Sequence, residues 1–138
     1  LDFAQSQCRT DSGAQIRDLI FCNNQSIPFF KELHDMYGSR QIVFELKNVE
    51  ALNRDNVNQL NRYLNENLGR FGVFVTRHKP PRNIQKHLID LWSGQRKCIV
   101  VLDDSDLQMM TDIFENKQRL PYEVIKKKYC EFMRNCPT

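Results

Sequence analysis

Residues 42–48 read Ile-Val-Phe-Glu-Leu-Lys-Asn, an apolar run that contains one acidic and one basic residue. Side chains alternate between the two faces of a strand, so Val43, Glu45 and Lys47 share one face. Two charged side chains on such an apolar strand cost desolvation free energy unless they pair with each other or bind something. The stretch therefore predicts a central strand that ends either in a surface ion pair or in a functional site.

A second carboxylate lies within another predicted strand. Residues 15–22 read Gln-Ile-Arg-Asp-Leu-Ile-Phe-Cys, which places Asp18 among β-forming residues. A short amphipathic helix over residues 27–37 links the two strands, so we expect Asp18, Glu45 and Lys47 to converge at one sheet edge. Carboxylate oxygens suit Mg²⁺, which polarises a phosphodiester and lowers the pKa of a bound water. Lysine can position that water and offset charge that develops in the transition state.

Strands and helices alternate along the rest of the chain. Residues 1–13 are polar and carry a turn signal at Ser12-Gly13. Strands are predicted over residues 71–76 and 97–102, and helices over 53–68, 83–93, 104–114 and 121–133. Gly69 is predicted to end the helix over residues 53–68. This alternation indicates βαβ crossovers, and hence an α/β fold in which helices flank a mixed central sheet. We predict one domain over residues 1–138, with a core at about 13–102 and C-terminal helices at about 104–134.

Composition restricts the class of protein. The 138 residues are 41% hydrophobic and 27% charged, with a formal net charge of +3. These values are typical of one folded globular domain and exclude disorder as the main state. No apolar run approaches the ~18 residues of a membrane span, so we predict no membrane partner. The mildly basic charge permits a nucleic-acid partner without requiring one.

The cysteines indicate the compartment. They lie at positions 8, 22, 98, 130 and 136, without a CxxC pair and without a histidine at zinc-finger spacing. We therefore predict reduced thiols in a cytoplasmic protein, and no structural zinc site. Cys22 and Cys98 lie in apolar runs and are interpreted as buried. The first residue is Leu1 rather than methionine, which favours a domain excised from a longer protein.

Three short motifs occur in order on the predicted elements. They are Asp18 within Gly-Ala-Gln-Ile-Arg-Asp-Leu-Ile, then Glu45-Leu46-Lys47, then Gln59 and Tyr63 on the next helix. Together they resemble the PD-(D/E)xK nucleases and the QxxxY element of RecB-type nucleases, over roughly residues 13–102. Arg17 replaces the usual proline. The residues before the first predicted strand are too few for the helix and strand that normally begin this fold, so we expect that part to be compressed or outside the chain.

The resemblance implies a restriction-endonuclease-like mixed sheet and a Mg²⁺-dependent nuclease that hydrolyses DNA phosphodiester bonds, with Mn²⁺ as a substitute. The parent would be a restriction, defence or repair protein, and other domains of a longer parent chain would be partners. Asp18, Glu45 and the Leu46 carbonyl would hold the metal, and Lys47 would activate water. Gln59 would assist, with Tyr63 supporting it. The sequence does not distinguish DNA from RNA as the substrate. It is compatible with a monomer and with a homodimer.

Basic residues gather in the loop after the strand at 71–76. Arg77, Lys79 and Arg82 flank Pro80-Pro81 at a strand end, where α/β proteins place ligands. These three residues are predicted to contact nucleic-acid phosphates, and a solvated loop is the alternative. The acidic run at residues 103–106 is predicted to cap a helix, with Asp104 or Ser105 as the cap.

Two other functions stay open. The first is a non-catalytic nucleic-acid-binding or interaction module on the same fold. The second is a structural domain in which Glu45 and Lys47 simply pair.

Overall fold

A computed structural model describes residues 4–8, 17–65, 68–117 and 119–137, with the backbone alone for positions 4–8 and 17–18. Five strands and five helices follow one another along these ranges. In chain order they are β1 (Ala4–Cys8), β2 (Arg17–Cys22), α1 (Pro28–Tyr37), β3 (Gln41–Leu46), α2 (Arg54–Tyr63), β4 (Phe71–Val75), α3 (Arg82–Gln95), β5 (Cys98–Leu102), α4 (Asp104–Asn116) and α5 (Tyr122–Asn135).

The strands form one sheet in the order β1-β2-β3-β4-β5. The first three strands pair antiparallel, whereas β3, β4 and β5 pair parallel. β3 thus joins an antiparallel half of the sheet to a parallel half. The predicted α/β class, with a mixed sheet flanked by helices, is confirmed.

Each face of the sheet buries its own apolar cluster. Alternate residues of the same strands supply the two clusters, as strand geometry requires. One cluster joins the sheet to α1 and α5 through Phe30, Leu33, Phe44, Ile125 and Tyr129. The other joins it to α2 and α3 through Val43, Val57, Leu60, Ile84 and Leu88. Burying a side chain of this size contributes roughly 1.5–3 kcal/mol, so both helical layers are held mainly by these contacts.

Helix α2 ends earlier than its apolar spacing predicts. It begins with a reciprocal cap, in which Asn53 accepts the backbone N–H of Asn56 at 2.9 Å and Asn56 accepts that of Asn53 at 3.1 Å. Leu64 continues the apolar stripe and is completely buried, but its backbone angles (φ −83°, ψ 87°) have left the helix. The predicted boundary at residue 68 was therefore wrong, because a buried leucine can extend the stripe without extending the helix.

Gly69 lies where the chain after α2 meets the turn after α1. Its φ is +89°, and a Cβ there would lie 2.6 Å from the Cα of Ser39 and 2.8 Å from the carbonyl oxygen of Gly38. Only glycine fits this close approach with this backbone.

The cap of α4 is one residue earlier than predicted. Asp103, rather than Asp104 or Ser105, accepts the backbone N–H of Asp106 at 3.0 Å, and Asp106 accepts that of Asp103 at 2.9 Å. Burial alone raises the pKa of Asp103, but hydrogen bonds from Ser105 and Asp106 outweigh it and hold that pKa below its usual value. Burial raises the pKa of Asp106. Lys128, whose Nζ lies 3.4 Å from Oδ2 of Asp106, opposes this rise. The acidic run is thus a helix cap.

Two predictions near the first strands need correction. β1 was missed because its sequence, Ala-Gln-Ser-Gln-Cys, lacks the β-branched and aromatic residues that mark strands; pairing with β2 sets its conformation. Cys22 is exposed rather than buried, whereas Cys98 is buried as predicted, and both are free thiols. The predicted Ser12-Gly13 turn lies outside the described residues.

One face of the sheet keeps an open apolar groove of about 580 Å³ between α1, α4 and α5, with Phe21, Phe44 and Leu46 in its wall. Within the described ranges, no helix is long and apolar enough to cross a membrane.

Candidate active site

Glu45 is a carboxylate buried within the sheet, which is unusual for a charged side chain. It lies one position before the end of β3, on the face that packs against α2, and its side chain is 0% exposed. Its neighbour on that face, Val43, belongs to the apolar cluster with Val57 and Leu60. An ionised carboxylate in such surroundings requires a cation close by.

Lys47 supplies that cation. Its Nζ lies 3.4 Å from Oε1 of Glu45 and donates to Oε1 of Gln59 at 3.4 Å. Its backbone N–H donates to the carbonyl of Val75 at 2.9 Å, which continues the pairing of β3 with β4. The Lys47 side chain is 15% exposed, so solvent reaches it although the carboxylate beside it is completely buried. Sheet and helix together therefore fix the Lys47 side chain.

Asp18 is directly opposite Glu45 in the antiparallel pairing of β2 with β3. Directly opposed positions of an antiparallel pair belong to the same face of the sheet. The register therefore places positions 18 and 45 side by side on the α2 face.

Gln59 and Tyr63 lie one turn apart on α2, and both are half-buried. Gln59 accepts from Lys47, which brings it into the Glu45–Lys47 cluster. Tyr63 packs against the apolar cluster between α2 and the sheet. Tyr63 is the last residue of α2, the helix that carries Gln59.

A cleft of about 440 Å³ begins at Lys47 and runs along the ends of the parallel strands. Leu46 ends β3 and Lys47 follows it, Thr76 and Arg77 follow β4, and Asp104 starts the helix after β5. The carboxyl ends of parallel strands meet at one edge, which is where open α/β sheets bind ligands. Leu46 is 36% exposed and borders both this cleft and the apolar groove.

The three basic residues of the loop do not line one common cleft. Arg77 lines the cleft beside Lys47. Lys79 lines a separate cavity of about 200 Å³ between α3, β5 and α5, which it shares with Lys128. Arg82 is exposed at the first residue of α3. Of these three residues, only Arg77 therefore lines the cleft that Lys47 also lines.

Sequence reasoning missed Thr76 and Asp104 as cleft residues. Each follows a buried parallel strand, so the rule that strand ends carry ligand sites was the available signal. Asp104 also accepts from Arg77, with Nε 3.5 Å from Oδ2. The sequence predicted Asp104 as a helix cap and did not predict its contact with Arg77.

The oxygen donors at the end of β3 fit a hard divalent cation in kind. Mg²⁺ is usually held by one or two carboxylates, with water completing its shell. Glu45 is a buried carboxylate, position 18 opposes it, and the Leu46 carbonyl lies between Glu45 and Lys47 in the chain. Where side chains are described, no group of three or more His, Cys, Asp or Glu residues is assembled for a metal. Among the side chains that the structure describes, the carboxylate at this place is that of Glu45.

Comparison with known proteins gives one partial similarity. A segment of 66 residues, 48% of this chain, is 35% identical to the "Putative transposon gamma-delta 80.3 kDa protein" of Escherichia coli (strain K12). That segment is 10% of the length of the transposon protein. No family model matches the chain, and no solved structure matches it.

Proposed function

We propose that this chain is a restriction-endonuclease-like nuclease domain that hydrolyses DNA phosphodiester bonds with the help of Mg²⁺. One observation carries the proposal: the ammonium of Lys47 lies within 3.4 Å of both Glu45 and Gln59, at the position where Asp18 opposes Glu45 in register. A simple surface ion pair needs neither the helix residue nor the second carboxylate. β1 adds support, because it supplies the extra strand with which this fold normally begins.

In this proposal each residue has a distinct task. Asp18, Glu45 and the Leu46 carbonyl would hold the metal ion, which polarises the phosphodiester and lowers the pKa of water. Lys47 positions the attacking water and offsets negative charge that develops on the phosphate. Gln59 accepts a hydrogen bond from Lys47 and so orients the ammonium, and Tyr63 anchors that part of α2.

DNA is the substrate to test first. The similarity to a transposon protein over part of the chain supports DNA, because a transposon is a DNA element. Arg77 in the same cleft as Lys47 supplies a positive charge for the phosphate backbone.

The deciding experiment incubates the protein with supercoiled plasmid and with linear DNA, in Mg²⁺, Mn²⁺ or EDTA. We expect cleavage with either metal and none in EDTA. Asp18→Asn and Lys47→Ala should each slow cleavage by about 10²-fold or more. Asp112→Asn, an exposed change on α4, is the matched control and should cut like the wild type. Absence of cleavage by the wild type with both metals would refute the proposal.

A non-catalytic DNA-binding module is the second candidate, and one observation favours it. Glu45 is completely buried against Lys47, as expected for a pair that only holds β3 and α2 together. The same experiment separates the candidates, because a binding module retards DNA on a gel without cutting it in any metal.

A further inference from the structure

Arg77 and Lys47 lie in the same cleft but arise from different strands. Lys47 follows β3, Arg77 follows β4, and Asp104 begins the helix after β5. A DNA strand whose phosphate reaches Lys47 would therefore continue along the cleft toward Arg77. Lys79 and Arg82, the other two basic residues of the loop, lie outside the lining of this cleft.

The backbone around Arg77 is fixed by three hydrogen bonds. The N–H of Thr76 donates to the carbonyl of Leu102 at 2.9 Å, and the hydroxyl of buried Thr76 donates to the carbonyl of His78 at 2.8 Å. The N–H of Asp104 donates to the carbonyl of Arg77 itself at 3.4 Å. These hydrogen bonds hold the backbone from which the Arg77 side chain extends in one position.

The side chain of Arg77, in contrast, is open to exchange. It is 65% exposed, and its Nε lies 3.5 Å from Oδ2 of Asp104, which is 57% exposed. A long, exposed ion pair of this kind adds little stability. A phosphate accepts two parallel hydrogen bonds from a guanidinium and makes a stronger contact than one carboxylate oxygen at this distance.

We propose that Arg77 binds a backbone phosphate of the DNA strand whose scissile phosphate lies at Lys47. Asp104 holds the guanidinium over the cleft until that phosphate replaces it. The assignment rests on the proposed nuclease function, and it names the residue that aligns the strand with the cleavage centre. Because Asp104 competes with the phosphate, it lowers the affinity of the free protein for DNA.

The test compares Arg77→Ala, Arg77→Lys and Asp104→Asn in the full chain. Arg134→Ala on α5 and Asp112→Asn on α4 are controls that remove the same charges from exposed positions. Binding is measured in EDTA by fluorescence anisotropy of a short DNA duplex as the salt concentration rises. Circular dichroism melting checks that each variant folds.

We expect Arg77→Ala to weaken binding about tenfold and to reduce the slope of log K against log salt by about 0.9, the value of one phosphate contact. Arg77→Lys should retain the slope but not the full affinity. Asp104→Asn should tighten binding about threefold, and this gain should disappear in an Arg77→Ala background, because the two residues act on one contact.

Failure of this inference is distinct from failure of the nuclease proposal. If wild-type protein cuts DNA while Arg77→Ala keeps wild-type affinity, salt slope and KM, Arg77 is not the phosphate contact. If Asp104→Asn tightens binding equally with and without Arg77, Asp104 does not compete for it. Absence of wild-type cleavage overturns the nuclease instead. With an active enzyme, Arg77→Ala should raise KM and leave kcat nearly unchanged.

Discussion

The ammonium of Lys47 lies 3.4 Å from the carboxylate of Glu45, and the Glu45 side chain is completely removed from solvent. One position separates the two residues at the end of β3, where the pairing with β4 continues through Lys47, so the extended backbone sets their spacing. Removing one member of a buried pair costs more than the pair contributes, because the remaining charge loses its compensation.

The first prediction follows from this pair. Lys47→Ala should lower the free energy of unfolding by about 3 kcal/mol, since the cation beside a buried carboxylate is lost. The double variant Glu45→Gln, Lys47→Ala should recover most of that loss, because no charge remains to be compensated. Urea denaturation at neutral pH measures both. Equal destabilisation of the single and double variants would show that packing of the lysine stem, not charge, is the cause.

The second prediction concerns Asp18 and Mg²⁺. If Asp18 and Glu45 hold the ion, Mg²⁺ should raise the melting temperature of the wild type. At a Mg²⁺ concentration 100 times Kd, the free energy of unfolding should rise by about 2.7 kcal/mol. The effect should weaken as pH falls, because protons compete for the same oxygens. Asp18→Asn should abolish the response and, by removing a like charge, leave the metal-free protein as stable as wild type or more so. A full Mg²⁺ response in this variant would remove Asp18 from the ligand set.

The third prediction concerns the pH dependence of the α4 cap. Asp103→Ala should cost about 1 kcal/mol at neutral pH through loss of the cap. The pKa of Asp103 is lowered in the folded protein, so the ionised cap stabilises the fold above 3.8, its ordinary value, and that contribution is lost as pH falls below it. Urea denaturation near pH 7 and near pH 3 should show the gap between wild type and variant narrowing in acid. A gap that widens in acid would contradict this sign.

The fourth prediction compares two glycines. Gly69→Ala should destabilise the protein by more than about 1 kcal/mol, since its φ is +89° and the added Cβ would meet Ser39 at 2.6 Å. Gly94→Ala, in α3 with no atom outside the local helix backbone within 4 Å of the added Cβ, should instead stabilise by about 0.5 kcal/mol. Thermal melting of the two variants should therefore shift in opposite directions.

Most of the sheet could be predicted from the sequence, because three of its strands are short apolar runs that the flanking polar residues delimit. β3, β4 and β5 each match a predicted strand to within two residues at either end. β1 could not be found this way, since its polar sequence becomes a strand only through its pairing with β2. The end of α2 was missed for a related reason, because a buried Leu64 looks the same in a periodic pattern whether or not its backbone is helical.

The candidate site was predictable in its strand residues and less so elsewhere. The parity of Glu45 and Lys47 on one strand placed them on one face, and the structure gives their contact. The separation of Arg77 from Lys79 depends on how α3, β5 and α5 pack, which no local pattern contains. The pairing of Arg77 with Asp104 joins the loop after β4 to the start of α4, which are adjacent because β4 and β5 are neighbours.

The strand order has one consequence for the behaviour of the unfolding chain. β5 pairs with β4 on one side, and no described strand pairs with its other side. Its sequence, Cys-Ile-Val-Val-Leu, is uncharged, apolar and free of proline, the composition that lets a strand recruit a copy of itself into an aggregate. Lys97 and Asp103 stand immediately before and after it, and each also serves the native fold, through a hydrogen bond to the Asn61 carbonyl and the cap of α4. The same two charges thus act as gatekeepers, which oppose the stacking of exposed β5 segments when heat loosens the helices that cover them.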